Sequence, residues 1–207
     1  FFDALPIKQF VKKENKWHER YVKFISQKNK EYLDILFDME KFEKTIKFRV
    51  SHKQNFIEYS PQATEYLESI TYKIKKNEGG ILIIDYAYTD KEMKNTLQAV
   101  SRHKYCNVLE NFGNSDITYN LSFNLIDKII KEFGTFTSLK TTQKQFLTEL
   151  GIMKRAEIIS KNMQFTKKAD IYFRVKRLID ETQMGHLFKA MFITNSKNKF
   201  KLGFNND

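Results

Sequence analysis

One segment, residues 79–86, constrains the fold more than any other part of the chain. It reads Gly-Gly-Ile-Leu-Ile-Ile-Asp-Tyr, so two glycines lead into four consecutive apolar β-formers and then a carboxylate. A strand without polar alternation is typical of a parallel sheet that helices cover on both faces. We therefore expect a buried parallel strand with Asp85 at its carboxyl end, where open α/β sheets bind ligands. The alternative is a structural carboxylate that caps a helix or marks the surface.

Helix signals lie on both sides of this strand. Ser60 followed by Pro61 supplies an N-cap and a first-turn proline, and Thr142 with Gln145 forms a capping box. The apolar periodicity predicts helices that begin after Ser60, span 123–133 between Ser122 and Gly134, run from Thr142 to Gly151, span 152–162 and cover Ile171 to Ile179. Alternation of such helices with short strands is typical of a single α/β domain.

The remaining apolar runs predict further strands. The segment 136–139 is short enough for one strand, and 190–194 with 200–204 indicates a C-terminal antiparallel hairpin around a turn at 195–198. Between 7 and 50, lysine and glutamate separate short apolar runs. These runs fit either a meander of strands or strands interrupted by a short helix.

Cysteine and histidine usage argues against a metal centre. The single cysteine, Cys106, cannot form an internal disulfide, and the four histidines are scattered without ligand spacing. No apolar run approaches the ~20 residues that cross a bilayer. We therefore expect a soluble intracellular protein with no metal and no membrane span.

The net charge of +11 raises the question of nucleic-acid binding. Only six of the 36 basic residues are arginine, and the lysines are spread along the chain among acidic residues. This pattern favours a solvated surface over a phosphate-binding face, and no helix-turn-helix, RNP or zinc module is recognisable. Nucleic acid is therefore the weakest of the partner classes.

The first six residues, Phe-Phe-Asp-Ala-Leu-Pro, form a second informative segment. Two aromatic side chains and a carboxylate before a proline suggest a strand end that turns sharply over a pocket. The proline fixes the turn and the aromatic rings form its walls. The alternative is a frayed terminus.

Taken in order along the chain, these segments and several others resemble the MidA family of S-adenosylmethionine-dependent methyltransferases. The resemblance covers nearly the whole chain and rests on Phe-Phe-Asp-Ala-Leu-Pro at 1–6, Trp17 with Glu19 and Arg20, Gly-Gly-Ile-Leu-Ile-Ile-Asp-Tyr at 79–86, Thr-Leu-Gln-Ala-Val at 96–100 with Arg102 and His103, Asp-Ile-Thr at 116–118, Thr142-Gln143 with Phe146-Leu147, Leu-Gly-Ile at 150–152, and Met184-Gly185 with Leu187-Phe188-Lys189. One departure is Ala87, which stands where the family usually has glycine.

The resemblance implies a Rossmann-like class I methyltransferase fold of the α/β class, with S-adenosylmethionine as cofactor and a protein arginine as substrate. Mitochondrial members of the family are complex I assembly factors, so the implied partner is a subunit of a respiratory complex. The implied location is the cytoplasm for a bacterial protein and the mitochondrial matrix for a eukaryotic one.

The resemblance also implies that 1–207 is the carboxyl-terminal part of one such domain, with helical and β insertions. Family members begin with a strand and a glycine-rich loop that hold the cofactor, and the seven glycines here include no G-x-G pattern. We therefore expect S-adenosylmethionine to be held mostly by residues outside this sequence, and the chain to be inactive alone. It is then a piece of a longer protein, a partner of a separately encoded N-terminal half, or a remnant. An uncovered sheet edge and face would make it unstable alone.

Candidate site residues follow from the matched segments. Because a guanidinium must be aligned and polarised for methylation, carboxylates at the carboxyl edge of the sheet are the catalytic candidates. The resemblance places Asp3 and Asp85 there, with His103 as a proton acceptor. The cofactor-binding candidates are Phe1, Phe2 and Pro6, and the substrate-binding candidates are Glu19, Tyr86, Arg102, Asp116 and Thr118.

Most of these assignments have a structural alternative. Asp3 can simply stabilise a turn, and His103 can be an ordinary hydrogen-bonding histidine. Asp116 and Thr118 can order the loop before the helix at 123. Two function classes therefore remain open, an enzyme fragment and a catalytically inactive assembly factor that kept the fold.

Overall fold

The computed structural model describes residues 1–26, 29–110, 112–195 and 201–204. After a 3₁₀ turn at Phe2–Ala4, the elements in chain order are β1 (Lys8–Lys13), β2 (Lys16–Phe24), β3 (Lys30–Leu36), α1 (Met39–Ile46), β4 (Phe56–Tyr59), α2 (Pro61–Asn77), β5 (Gly80–Tyr88), β6 (Gln98–Ser101), β7 (Lys104–Cys106), β8 (Asp116–Thr118), β9 (Leu121–Ser122), α3 (Phe123–Phe133), β10 (Phe136–Thr142), α4 (Gln143–Glu149), α5 (Ile152–Ser160), α6 (Phe165–Ile179), α7 (Met184–Leu187) and β11 (Phe188–Asn195).

The chain divides into two compact units. Unit 1 comprises Phe1–Ser69 with Thr89–Phe133, and unit 2 comprises Ile70–Tyr88 with Gly134–Asp207. Helix α2 contributes to both, because the division falls within it.

Unit 1 is built on a four-stranded antiparallel sheet in the order β3-β2-β1-β4. Its apolar core joins this sheet to α1 and α3 and consists of Phe10, Phe42, Ile46, Ile57, Tyr59, Leu125 and Ile129. The rings of Phe42 and Tyr59 meet edge to face at 5.1 Å, which adds a directional contact to the burial of apolar area. A smaller antiparallel sheet in the same unit has the order β7-β6-β8.

Unit 2 contains a sheet in which β11 lies between β10 and β5 and pairs antiparallel with both. Strands β10 and β5 therefore run parallel to each other on either side of β11. The centre of β11 is the most buried part of this unit, since Ala190, Met191 and Ile193 are fully inaccessible. Helix α4 brings Phe146 against Ala190 and Phe204 in the same unit.

The predicted helix caps are confirmed. The hydroxyl of Ser60 accepts a hydrogen bond from the amide of Ala63 at 3.1 Å, and that of Ser122 accepts from Leu125 at 3.3 Å. Thr142 Oγ1 likewise accepts from the amide of Gln145 at 3.2 Å. Each cap satisfies one of the amides that the first helical turn leaves without an intrahelical partner.

The expectation for β5 is only partly correct. Residues 80–88 do form a strand, but its neighbour β11 is antiparallel and one of its faces is open. Leu82 and Ile84 are 46% and 43% exposed, whereas Ile83 and Asp85 on the other face are 4% and 5% exposed. The continuous apolar run therefore does not mean burial on both faces in this chain.

Of the two alternatives for 7–50, the structure shows strands interrupted by a short helix: β1, β2 and β3 are followed by α1, and the apolar run at 46–50 is the end of that helix and a loop. One other prediction needs correction. The C-terminal hairpin is not formed as predicted: its first strand lies within β11, while described residues 201–204 form a turn. The predicted turn at 195–198 and the first residue of the second strand lie largely outside the described residues.

The length and hydropathy of the helices bear on whether any of them could span a membrane. Among the described residues, none of the helices combines the length and the apolar content needed to cross a membrane.

Candidate functional site

The first six residues contain a 3₁₀ turn, and their two aromatic side chains differ in exposure. Phe2 is 5% exposed and belongs to the interior, whereas Phe1 is 74% exposed and contacts the rings of Phe2 and Tyr66 at 5.3 and 5.8 Å. Pro6 is exposed and precedes β1. Of the three cofactor-binding candidates, Phe2 therefore packs into the protein while Phe1 and Pro6 lie at its surface.

Asp3 lies inside this turn. Its Oδ1 lies 2.8 Å from the terminal ammonium group at Phe1, and its side chain is 14% exposed. This ion pair depends on the terminal charge at Phe1, so both the turn-stabilising and the catalytic role of Asp3 stay predictions. The carboxylate lies close to the surface.

The same turn is tied to the end of β8. The amide of Tyr119 donates to the carbonyl oxygen of Asp3 at 3.0 Å. Thr118, the preceding residue, is buried, and its Oγ1 accepts from Nε2 of Gln98 at 3.2 Å. The structure therefore brings Asp3 and Thr118 into one region of unit 1, while Asp116 is exposed at the start of β8.

Arg102 and His103 form the two-residue turn of the β6–β7 hairpin. Ser101 pairs with Lys104, and the intervening residues have φ values of 51° and 62°, both in the left-handed region. Such turns favour asparagine and glycine, so arginine and histidine are unusual there. Both side chains are exposed. His103 is thus an exposed residue of the β6–β7 turn.

Glu19 and Arg20 do not pair with each other, because consecutive strand residues face opposite sides of the sheet. Glu19 is buried and accepts from Nζ of Lys8 at 2.8 Å, and this hydrogen bond raises the pKa of the Lys8 ammonium. Arg20 instead makes a two-point contact with Asp34, at 2.9 and 3.1 Å. Its guanidinium also stacks over the ring of Tyr32 at 4.8 Å.

In unit 2, Asp85 and Tyr86 lie within β5 rather than after it. The carboxylate of Asp85 is buried, and its Oδ1 accepts from the amide of Tyr86 at 2.8 Å. Lys189 lies directly opposite Asp85 on β11 and is also buried, with its Nζ donating to the carbonyl oxygen of His186 at 2.9 Å. The ring of Tyr86 stacks on Phe188 at 4.2 Å. Position 87, an alanine, is buried as well.

The space next to Phe2 is small. A cavity of about 30 Å³ in unit 1 is lined by Phe2, Glu58, Ser60, Tyr119 and apolar residues of α2 and α3. Sites for drug-sized ligands and cofactors occupy roughly 300–1,000 Å³. The cavity beside Phe2 is therefore much smaller than such a site. Among the described residues there is also no group of three or more His, Cys, Asp or Glu side chains that could hold a metal ion.

Sequence reasoning missed two buried charged residues. Glu58 is 4% exposed and accepts hydrogen bonds from Gln9, Thr96 and Leu97. Lys189 lies opposite Asp85, as described above. A carboxylate inside the otherwise apolar or aromatic run Phe56–Tyr59 was a signal for Glu58, but its partners lie far away in sequence. Lys189 occurs in one of the family segments and was not assigned a role.

Comparison with known proteins gives these features a context. Residues 1–142 match a family described as "Putative S-adenosyl-L-methionine-dependent methyltransferase". Curated relatives named protein arginine methyltransferase NDUFAF7, mitochondrial, include one from Danio rerio, 24% identical over 95% of this chain and 46% of that protein, and one from Homo sapiens, 24% identical over 91% and 42%. The Caenorhabditis elegans homologue is 28% identical over 75% of this chain and 37% of its own length.

Solved structures agree on the fold. Two crystal structures from Burkholderia thailandensis superpose with TM-scores of 0.76 and 0.75 at 22% sequence identity, and each covers 99% of this chain. The second of them is bound to S-adenosyl-homocysteine. This chain covers 54% and 52% of those chains, and it spans about half the length of the curated relatives it matches. The fold is thus that of a class I methyltransferase, and the chain belongs to the MidA family of S-adenosylmethionine-dependent methyltransferases.

Proposed function

We propose that this chain is the substrate-facing part of a methyltransferase that uses S-adenosylmethionine to modify arginine side chains of proteins. The observation that carries this proposal is the family match over residues 1–142, which includes the Asp3 turn, β5 and the β6–β7 hairpin. The names of the curated relatives support a protein arginine as the methyl acceptor.

A protein substrate in a respiratory complex is part of the same proposal, because the resemblance to mitochondrial assembly factors implies it. The relatives' names support a mitochondrial location, which for this chain would be the matrix. In a bacterial host the corresponding location is the cytoplasm.

We also propose that residues outside this sequence supply most of the cofactor site, so that the 207 residues alone are inactive. The chain spans about half of its relatives, and the cavity beside Phe2 is only about 30 Å³. The exposed side chains of Leu82 and Ile84 support this division, because further chain would have an apolar face of β5 to pack against.

The proposed site residues have different roles. The carboxylate of Asp3 in unit 1 would orient and polarise the substrate guanidinium. Asp85 and Tyr86 of unit 2 are catalytic and substrate-binding residues, respectively, by the family resemblance. His103, on an exposed turn, would accept a proton from the substrate nitrogen. Arg102 and Asp116, which are exposed, would shape the surface on which the substrate protein lies. The buried Thr118 and Glu19 would support that surface from within.

Isothermal titration calorimetry with S-adenosylmethionine tests the proposed function. We expect the 207-residue chain to give no heat of binding, and the protein extended upstream by its reading frame to bind the cofactor and methylate a protein substrate. Failure of both proteins to bind would instead favour a catalytically inactive assembly factor. Salt-sensitive binding of nucleic acid without cofactor binding would favour a nucleic-acid protein.

Asp3→Asn in the extended protein tests the role of the carboxylate. The rate of methyl transfer should fall about 10²-fold with cofactor affinity nearly unchanged, because the lost charge acts on the substrate. Asp127→Asn, which removes a carboxylate paired with Lys131 on the surface of α3, is the control and should leave the rate unchanged. Full activity of Asp3→Asn would remove Asp3 from the catalytic residues.

A further inference from the structure

A buried carboxylate connects the large sheet of unit 1 to its small sheet. Glu58 lies on β4 and is 4% exposed. Its Oε1 accepts from Nε2 of Gln9 at 2.8 Å and from the amides of Thr96 and Leu97 at 3.0 and 3.1 Å, and its Oε2 accepts from the hydroxyl of Thr96. Burial raises the pKa of this carboxyl group, although these hydrogen bonds act in the opposite direction. A buried acceptor with so many donors fixes the atoms around it.

The main-chain donors to Glu58 lie next to the β7-β6-β8 sheet, at the edge where β6 begins and β8 ends. Thr96 and Leu97 immediately precede β6. The hydroxyl of Thr96 also accepts from the amide of Asn120 at 2.9 Å, just after β8. Through Thr96, Glu58 is therefore connected both to the residues that precede β6 and to the residue that follows β8.

The connection continues to Asp3. Tyr119 precedes Asn120, and its amide donates to the carbonyl oxygen of Asp3 at 3.0 Å. Each link joins buried or half-buried residues of unit 1, so hydrogen bonds and one peptide bond form a continuous connection from Thr96 to the turn that carries the Asp3 carboxylate. A displacement of about 1 Å at a reacting group can cost a factor of about 10² in rate.

We propose that Glu58 is a positioning residue that holds the Asp3 turn in place through Thr96, Asn120 and Tyr119. The catalytic consequence rests on the proposed function, because it needs Asp3 to contact the substrate guanidinium. The structural consequence, which is that Glu58 orders the Asp3 turn, does not depend on the proposed function. It can be measured on the 207-residue chain alone.

Amide hydrogen exchange of the 207-residue chain tests the structural link. Glu58→Gln and Thr96→Val should each make the amides of Leu97, Asn120 and Tyr119 exchange about tenfold faster, with those of β2 and β3 unchanged. Thr96→Ser retains the hydroxyl and should match wild type. Unchanged exchange at Tyr119, or equally faster exchange in every strand, would overturn the proposal.

Kinetics of the extended protein test the catalytic consequence. Glu58→Gln should lower kcat about tenfold or more while KM for the substrate and Kd for the cofactor stay within about twofold. Asp34→Asn, another carboxylate of the same sheet, is the control and should keep the wild-type kcat. A wild-type kcat in Glu58→Gln would overturn the proposal. Absence of methyl transfer in the wild-type protein would overturn the proposed function, and the exchange experiment would still decide the role of Glu58.

Discussion

Asp34 is held in its charged form by two cations. Its pKa is lowered to about 2, chiefly by the hydrogen bonds from Arg20 and then by Lys13, whose Nζ lies 2.8 Å away. A carboxyl group with a lowered pKa stabilises the fold fully above its unfolded pKa of 3.8, and this contribution is lost as the pH falls toward 2. Protonation of Asp34 should therefore contribute to the loss of folding stability at acid pH.

Asp34→Asn should lower the free energy of unfolding by about 1–2 kcal/mol at pH 7. The difference from wild type should shrink between about pH 4 and pH 2, as the wild-type carboxylate becomes protonated. Urea unfolding at pH 7, 4 and 2 measures this. Glu31→Gln, in an exposed pair with Lys23 at 3.5 Å, should have almost no effect at any pH. A difference for Asp34→Asn that does not depend on pH would contradict the assignment.

Gly185 lies where no side chain fits. A Cβ there would be 2.5 Å from the carbonyl carbon of Ile179 and 2.8 Å from the carbonyl oxygen of Asp180, and neither main-chain atom can move freely. Gly185→Ala should therefore lower the free energy of unfolding by about 1–3 kcal/mol, measured in urea. Leu187→Ala, at an exposed position of the same helical turn, should cost much less. Equal losses would mean that α7 adjusts to the methyl group.

Single residues show why the candidate site was only partly predictable. Asp3 and Asp85 stand out in sequence because each interrupts an apolar or aromatic run. Glu58 could not be assigned a role in this way, because its partners lie 38, 39 and 49 positions away along the chain. Hydrogen bonds between distant residues leave no periodic signal in the sequence.

At the scale of elements, local signals were reliable and pairing signals were not. The caps at Ser60, Ser122 and Thr142 act within four residues, so the sequence was sufficient to predict them. Strand β11, a neighbour of β5, comes about a hundred residues later in the chain, and nothing within residues 79–86 indicates that it pairs antiparallel with β5. Nothing in the sequence indicated that Leu82 and Ile84 are partly exposed, because both residues are apolar.

Two hairpins of unit 1 share the same turn geometry and offer a matched comparison. Arg102 and His103 join β6 to β7, and Glu14 with Asn15 joins β1 to β2, all with positive φ values of 48–62°. Replacing either pair by Asn-Gly should stabilise the protein by about 1 kcal/mol in urea unfolding, because these residues adopt the required backbone readily.

The two replacements should differ in their effect on catalysis. Arg102→Asn with His103→Gly should lower methyl transfer by the extended protein, whereas Glu14→Asn with Asn15→Gly should leave it unchanged. A faster or unchanged rate in the first variant would assign Arg102 and His103 a purely structural role.

At the scale of the whole molecule, the exposure of one face of β5 should differ between the 207-residue chain and the longer protein that we propose. Ile83 and Ile84 are adjacent and of the same type, but only Ile83 is buried. In the 207-residue chain, Ile83→Thr should cost about 2 kcal/mol or more and Ile84→Thr less than about 0.5 kcal/mol. In the extended protein the two losses should become similar, because the added chain would cover Ile84. Thermal or urea unfolding of the four variants measures this, and a persistent difference would show that the extension leaves that face open.

The path of the chain between the units also limits how the protein can be dissected. It crosses the division within α2, after Tyr88 and after Phe133. No single protease cut or stop codon therefore separates the two units: ending the chain at Phe133 keeps all of unit 1 but leaves β5 of unit 2 attached to it and removes β10 and β11. A truncation that removes β11 also removes a strand that is hydrogen-bonded to β5, whichever activity is being mapped. Point substitutions are therefore the better way to identify the residues that carry the chemistry.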